Sequence, residues 1–399
     1  MKTHQSSIQA RYAMIHGGYQ AAYSIVVGYA SVYLLAQGFD NAVIGIILSV
    51  ANGAAAILQP FLGSYLDRSQ KITVQFFGCI LLVILMLLSG ILIFTPVSNL
   101  PLAVIMVLIL TLQFSLQPLI NSLCFLLEHT GISINFGLSR GVGSVSYAVA
   151  SVIIGKLVAV YHESLLPVFY LAFFAGLTCF FWSLRKVPSG SISQTADDSS
   201  KLPADGQALS LPRFIITYKR FILFLVGSML VYFMFFITGN FFTIQIVSAI
   251  GGGTSEMGIA VAICAAVELP VMANFNRLNR KIPAYWLLRI SVIFFLLKFL
   301  FTLLAKSVPA FYAAQLFQMG SYALYYPGAA AYINRLLPKA DLVKGQSLLT
   351  TMFTISGIFG SFFGGLLLNH TSAFIMLLVS FFIALAGAVI TWFSLEKIQ

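Results

Sequence analysis

Charged residues are scarce in this sequence. Asp, Glu, Lys and Arg make up 8% of the 399 residues, whereas 59% of the residues are hydrophobic. A soluble domain carries about 25% charged residues, so the composition excludes a soluble globular protein. Together with a mean hydropathy of +0.96, it predicts an integral membrane protein that lies in a lipid bilayer.

Residues that could form a catalytic or metal site are also few and dispersed. The four cysteines lie within hydrophobic stretches without metal-ligand spacing, and we interpret them as packing residues. The five histidines are scattered, no nucleotide-binding P-loop is present, and adjacent acidic residues occur only as Asp197-Asp198. We therefore expect no enzyme, no ATP-driven pump, no cofactor and no bound metal.

The sequence is basic, with 22 Lys and Arg residues against 11 Asp and Glu residues. Most basic residues lie in short segments between hydrophobic stretches, so they do not form one soluble face, and no nucleic-acid partner is expected. The positive-inside rule explains their placement and predicts a multi-pass plasma-membrane protein with both termini in the cytoplasm. Because residues 1–11 are polar and a full-length span follows, no cleavable signal peptide is expected.

Twelve hydrophobic stretches reach about 20 residues, the length that spans a bilayer. They cover residues 12–36, 41–66, 73–95, 101–127, 139–161, 165–184, 220–247, 255–275, 283–305, 309–334, 345–368 and 373–394. A polar stretch rich in Ser, Asp, Pro and Gly separates the sixth from the seventh. We therefore predict an all-α membrane protein with a six-helix bundle at 1–184, a flexible cytoplasmic linker at 185–219 and a second six-helix bundle at 220–399.

The two halves share short sequence features at a nearly constant offset. Residues 67–71 (DRSQK) correspond to 276–280 (NRLNR), and residues 137–139 (GLS) correspond to 345–347 (GQS). Both pairs fall in predicted cytoplasmic loops. This indicates a duplicated, pseudo-symmetric six-helix unit, an architecture typical of transporters that open a central cavity to each side of the membrane in turn.

The loop after the second hydrophobic stretch carries Gly63, Asp67, Arg68 and Lys71. This pattern resembles the Gly-x-x-x-Asp-Arg/Lys-x-Gly-Arg/Lys-Arg/Lys motif of the major facilitator superfamily, with Gln70 as a departure from it. The resemblance implies that these residues form a conformational gate. In that family the aspartate caps a helix end and pairs with basic residues, a role that the resemblance gives to Asp67.

Three stretches, GIILSVANGAAAILQPFLGSYLD, NFGLSRGVGSVSYAVAS and GNFFT, are similar to a narrower group, the lactose permease-like oligosaccharide and nucleoside proton symporters. The resemblance covers nearly the whole chain. It places Arg140 where that group has an arginine that binds sugar hydroxyls, and Tyr147 where an aromatic ring stacks on the sugar. Asn121 or Ser122 falls near the position of a partner carboxylate.

In the C-terminal half, the resemblance matches Lys298 and Gln318 to residues of the coupling machinery. Ser321 stands where the group has a proton-carrying glutamate, and Tyr232 and Phe235 replace two aspartates. The basic partners of those aspartates are missing as well, which avoids a stranded charge in the membrane. The resemblance therefore does not identify lactose as the solute.

Arg140, Ser144 and Tyr147 are spaced so that they share one face of a helix. Arginine supplies donors in a fixed geometry and an aromatic ring covers the apolar face of a sugar, so this face is a candidate site for a polyhydroxylated solute. The alternative is that Arg140 is a positive charge at the inner surface and that Tyr147 is only packed.

The tenth hydrophobic stretch carries a stripe formed by Gln315, Gln318, Tyr322 and Tyr325. Amides need hydrogen-bond partners inside a membrane, so we expect this stripe to line the solute cavity or to contact another helix. Asn240 and His16 are weaker candidates for a functional role.

Glu268 is the only carboxylate deep within a predicted span. A carboxyl group in a low-dielectric environment can take up and release a proton, which makes Glu268 the first candidate for proton coupling. With a rise of about 1.5 Å per residue, Arg289 lies at a similar depth in the next span, whereas the resemblance favours Lys298. If Glu268 is permanently paired, its role is structural.

These features predict a secondary active transporter that takes up a small polyhydroxylated solute, such as a sugar, a glycoside or a nucleoside, together with protons. The alternative is a multidrug or metabolite exporter of the same fold. The expected partners are the solute, protons and bilayer lipids, and we expect the protein to be a monomer.

Overall fold

The computed structural model describes residues 2–68, 73–94, 100–129, 136–184, 209–241 and 247–397. The chain divides into two compact units, Met1–Leu202 (unit 1) and Pro203–Gln399 (unit 2). The division falls within the polar stretch that the sequence predicts as a linker, and residues 185–208 of that stretch lie outside the described residues.

Unit 1 consists of helices that follow the predicted spans. They are α1 (Lys2–Val26), α2 (Ala30–Ala36), α3 (Asn41–Arg68), α4 (Val74–Phe94), α5 (Leu100–His129), α6 (Phe136–Tyr161) and α7 (Leu166–Ser183), with a 3-10 turn at Glu163–Leu165. Helices form along these hydrophobic stretches because a backbone N–H or C=O group without a partner is costly in lipid.

Unit 2 repeats this arrangement. Its helices are α8 (Leu211–Thr217), α9 (Lys219–Phe241), α10 (Thr254–Lys281), α11 (Ala284–Leu304), α12 (Val308–Gln315), α13 (Tyr322–Leu336), α14 (Lys339–His370) and α15 (Ala373–Ser394), with a 3-10 segment at Leu316–Met319.

Among the described residues, ten helices are long and apolar enough to cross a membrane. The two remaining predicted spans, residues 12–36 and 309–334, are those in which the structure interrupts a helix. Since α1 with α2 and α12 with α13 each form one interrupted crossing, the described residues contain the twelve crossings that the sequence predicts.

The interruption of the first crossing lies between Val26 and Ala30. A Cβ at Gly28 would collide with the carbonyl oxygen of Ser24, so this turn requires glycine. The N–H of Gly28 bonds to the carbonyl of Tyr23 over 3.4 Å. This bond reaches one residue further back than an α-helical bond, and it widens the turn.

The interruption of the tenth crossing lies between Gln315 and Tyr322. The intervening 3-10 segment is wound more tightly than an α-helix, so it turns Gln318 away from the direction that a continuous helix would give it. Gly320 lies so close to the ring of Phe294 that a Cβ would collide with it. The close approach of α11 therefore accompanies the break.

Small residues bring α1 and α6 close together in unit 1. A Cβ at Gly17 would lie 2.8 Å from Oγ of Ser146, and one at Gly143 would lie 2.9 Å from Cγ of Gln20. Small residues permit such close packing of membrane helices. This contact fixes the polar side chains of α1 opposite those of α6.

The end of the predicted linker is held against the start of α14. The N–H of Leu209 donates to Oδ1 of Asp341 over 3.1 Å. Nζ of Lys344 donates to the carbonyl of Leu209 and, over 2.7 Å, to Asp341, and Phe214 of α8 is buried. These long-range contacts hold Leu209, in the segment 185–219 predicted as a linker, against the start of α14, and α8 also lies within that segment.

Candidate functional site

The face of α6 that carries Arg140, Ser144 and Tyr147 is turned toward α1. Arg140 is half-buried near the start of α6, and the ring of Tyr147 lies 6.5 Å from the ring of Tyr23 in α1. The hydroxyl of Ser144 donates to the carbonyl of Arg140 over 3.3 Å. This bond stays within the helix and leaves the oxygen of Ser144 able to accept a hydrogen bond from a solute.

Helix α1 adds His16 to this face. The side chain is 0% exposed, Arg140 acts on it electrostatically, and Asn121 of α5 lies within hydrogen-bonding reach of the imidazole. The rings of Tyr12 and Phe136 pack edge-on against the imidazole, each with a centroid distance of 5.7 Å. Even so, neither ring nitrogen makes a well-formed hydrogen bond with any residue that the structure describes.

The third member of this group is Asn121 of α5. Its Oδ1 accepts a bond of 3.4 Å from the amide of Gln117, one turn earlier in the same helix. We call His16, Asn121 and Arg140 the unit 1 cluster. They come from α1, α5 and α6, and the sequence predicted Asn121 and Arg140 as solute-binding residues. It gave His16 less weight, because an isolated histidine in a span carries no information about its neighbours.

A hydrogen-bonded network joins Glu268, Gln318 and Lys298 in unit 2. Nζ of Lys298 donates to Oε1 of Gln318, and Nε2 of Gln318 donates to Oε1 of Glu268, each over 2.5 Å. Lys298 is 5% exposed and Gln318 is 3% exposed, whereas Glu268 is half-buried. Buried charges require such partners, so the amide of Gln318 connects an acid on α10 to a base on α11.

A thiol and aromatic rings surround Lys298 at its end of this network. Nζ of Lys298 lies 3.9 Å from Sγ of Cys264, which lies 3.6 Å from Oε1 of Gln315. Nζ also lies 5.8 Å from the ring centroid of Phe235, and this ring stacks on Tyr322 at 5.3 Å. A ring face attracts an ammonium group without adding a second charge.

The predicted stripe on the tenth crossing is divided by the interruption. Gln318 bridges Glu268 and Lys298, whereas the amide of Gln315 donates to the carbonyl of Phe311 within its own helix over 3.1 Å. Tyr322 stacks on Phe235. Of these three predicted residues, Gln318 therefore bonds directly to both Glu268 and Lys298.

Arg289, the alternative partner for Glu268, contacts aromatic rings. Its guanidinium carbon lies 5.2 Å from the ring centroids of Trp286 and Trp392 and 5.6 Å from that of Tyr285. Its Nη2 donates to the carbonyl of Leu395 over 3.3 Å. Depth along a helix does not give the direction in which a side chain points, and Arg289 points to α15 rather than to the network of Glu268.

Asn240, a weaker candidate from the sequence, lies between two helices. Its Nδ2 donates to Oγ of Ser361 over 2.7 Å. This bond joins α9 to α14, so the position that the structure gives Asn240 is that of a contact between helices.

The loop motif is described only in part. Gly63 lies within α3, and a Cβ there would meet nothing within 4 Å. Helix α3 ends with Asp67 and Arg68, whose side chains are not described, and Lys71 lies outside the described residues.

Comparisons with known proteins point to a membrane transporter. The MFS_1 like family matches residues 11–379. A putative sugar efflux transporter of Deinococcus radiodurans is 25% identical over 126 residues, which are 31% of this chain and 31% of that protein. The uncharacterized transporter YwbF of Bacillus subtilis is 22% identical over 406 residues, covering 98% of this chain and 96% of that protein.

Solved structures show the same fold. The crystal structure of a mutant of the nucleoside transporter NupG superposes with a TM-score of 0.80 and 14% sequence identity, covering 97% of this chain and 100% of that chain. At this identity the likeness concerns the arrangement of the helices alone.

Proposed function

Because this chain belongs to the MFS_1 like family of the major facilitator superfamily, we propose that it carries a small polyhydroxylated solute across the membrane by alternating access, coupled to protons. The chain is a multi-pass membrane transporter and not an enzyme. We propose the class of solute, its coupling to protons and the residues that bind the solute and the proton. We also propose that the protein lies in the plasma membrane with both termini in the cytoplasm.

The proton-coupling proposal rests on one observation, the bonds from Lys298 to Gln318 and from Gln318 to Glu268. With Glu268 ionised and Lys298 protonated, the network has no net charge. A proton taken up by Glu268 leaves the buried ammonium of Lys298 without a compensating charge, which a low-dielectric environment disfavours. Proton binding therefore favours a rearrangement around these residues.

The solute proposal rests on the unit 1 cluster and Tyr147. Arg140 and Asn121 offer donors that suit ring hydroxyls, and Tyr147 offers an aromatic face for the apolar side of a sugar ring. The names of two similar proteins, a putative sugar efflux transporter and a nucleoside transporter, support a solute of this class. Gly63, Asp67, Arg68 and Lys71 are proposed to form the conformational gate.

Efflux is the second candidate, because one relative is named a putative sugar efflux transporter. The same residues would serve both directions, since proton symport and proton exchange differ only in whether the proton and the solute bind the same state or opposite states. The direction of solute movement under an imposed proton gradient distinguishes the two.

The experiment uses purified protein in liposomes with radiolabelled uridine or methyl β-galactoside and an imposed pH gradient. We expect wild-type protein to accumulate one of them on the side opposite the acid, and Glu268→Gln to equilibrate it without accumulation. Glu256→Gln is the matched control, because Glu256 caps the start of the same helix with a bond of 2.8 Å from the N–H of Gly253. Accumulation by Glu268→Gln would remove Glu268 from the coupling, and movement toward the acid side would favour efflux.

A further inference from the structure

His16 is a buried histidine that lies beside the face of α6 predicted to bind the solute. It is 0% exposed, and both ring nitrogens lack a well-formed hydrogen bond among the described residues. An unsatisfied buried donor or acceptor destabilises a folded protein, and a native structure that retains one usually does so for a reason.

The surroundings of His16 keep the imidazole in place without bonding it. Tyr12 and Phe136 hold the ring edge-on from two sides. Gly143 of α6 also lies against the imidazole, since a Cβ there would lie 3.4 Å from Nδ1 of His16. Because Gly143 follows Arg140 by one helical turn, the imidazole lies against the same face of α6 as Arg140, and Asn121 lies within hydrogen-bonding reach of it.

Arg140 and His16 differ in the hydrogen bonds that they can make. Arg140 offers donors only, whereas a neutral imidazole offers one donor and one acceptor. A hydroxyl group can donate and accept at the same time. Two neighbouring hydroxyls on one ring could therefore accept from the guanidinium through one oxygen and donate to the imidazole through the other.

We infer that His16 is a third solute-binding group of unit 1, which bonds a hydroxyl next to the one held by Arg140. This inference rests on the proposed function and adds a requirement to it, namely a solute with neighbouring hydroxyls. The ring of Phe136, at the start of α6, packs against the imidazole, so binding of a solute to His16 requires this side chain to turn aside.

The test is a chemical double-mutant cycle on the purified full-length protein. Affinities of uridine and methyl β-galactoside, each with its singly deoxygenated analogues, are measured for wild type and for His16→Phe. We expect His16→Phe to weaken binding of the parent compound about tenfold, the effect of one hydrogen bond. For the analogue that lacks the hydroxyl bonded by His16, we expect wild type and variant to have the same affinity. Equal losses for all analogues would overturn the inference.

The stability of the protein without solute separates binding from a structural role. Replacing two unsatisfied polar atoms by an apolar ring of similar size should leave the melting temperature unchanged or raise it. Tyr170→Phe is the matched control, because this hydroxyl is also buried and unpartnered among the described residues, and its ring packs on Tyr33. Tyr170→Phe should leave all affinities unchanged.

Three other outcomes would each overturn the inference. If wild type binds and His16→Phe binds equally well, the inference fails while the proposed function stands. If neither compound binds wild type or is transported by it, the proposed function fails and the inference fails with it. If His16→Phe does not fold, His16→Leu takes its place, and failure of both to fold shows a structural role and overturns the inference.

Discussion

Gln318 donates a hydrogen bond from its amide to Oε1 of Glu268 over 2.5 Å. The same amide accepts a bond from Lys298, so Gln318→Leu removes a partner from both charged groups. We expect the free energy of unfolding to fall by about 1–3 kcal/mol and accumulation along a pH gradient to be lost. Thermal denaturation and uptake into liposomes measure these two effects.

Gln315→Leu is the control for this prediction. It removes an amide from the same crossing, but one whose described bonds go to the carbonyl of Phe311 and to Cys264. Coupling should therefore survive in Gln315→Leu. Normal accumulation by Gln318→Leu would mean that Glu268 and Lys298 do not act through this amide.

Arg140→Lys should weaken transport of the solute. Lysine keeps the charge but loses the planar arrangement of five donors that suits neighbouring hydroxyls. We expect the KM for uptake to rise at least about tenfold, the loss of one charge-assisted hydrogen bond. Arg213→Lys on the exposed surface of α8 serves as the control, and an unchanged KM in Arg140→Lys would exclude Arg140 from the solute site.

Two glycines of α6 should respond differently to alanine. A Cβ at Gly143 would crowd Gln20 and His16, whereas a Cβ at Gly141 meets nothing within 4 Å. We expect Gly143→Ala to lower the melting temperature and the transport rate. Gly141→Ala should be neutral, or stabilising by up to about 1 kcal/mol, because alanine is the better helix former. Equal behaviour of both variants would show that α1 and α6 are not tightly packed at Gly143.

Arg289→Met should affect stability and leave coupling intact. The variant loses the contacts of the guanidinium with Trp286 and Trp392 and the bond to the carbonyl of Leu395. Together these are worth about 1–3 kcal/mol. Melting temperatures and pH-driven uptake are compared with those of Glu268→Gln, and loss of coupling in Arg289→Met would return Arg289 to the proton pathway.

The positions of the spans followed from the sequence because a bilayer imposes both length and apolarity on every crossing. Glu268 and Lys298 could be singled out for the same reason, since charged residues in a span are rare. The partner of Glu268 could not be derived in this way. Counting residues gives a height along a helix, whereas the choice between Arg289 and Lys298 depends on how α10 and α11 are rotated about their axes.

Two other features that the sequence did not predict depend on contacts between residues far apart in the chain. Leu209 is held by Asp341 and Lys344, which lie more than one hundred residues later in the chain. The break at Leu316–Met319 coincides with the close approach of Phe294 to Gly320. Neither feature has a local signal that composition or periodicity would reveal.

The two interrupted crossings affect how the sidedness of the loops should be mapped. A count of the ten uninterrupted helices omits the first and the tenth of the twelve predicted crossings. Both termini then still fall on one face of the membrane, but every loop between residues 37 and 307 is assigned to the opposite face from the one that twelve crossings give. Reporters fused to the termini cannot detect this error. A label at an internal loop, such as the turn at residue 162, can.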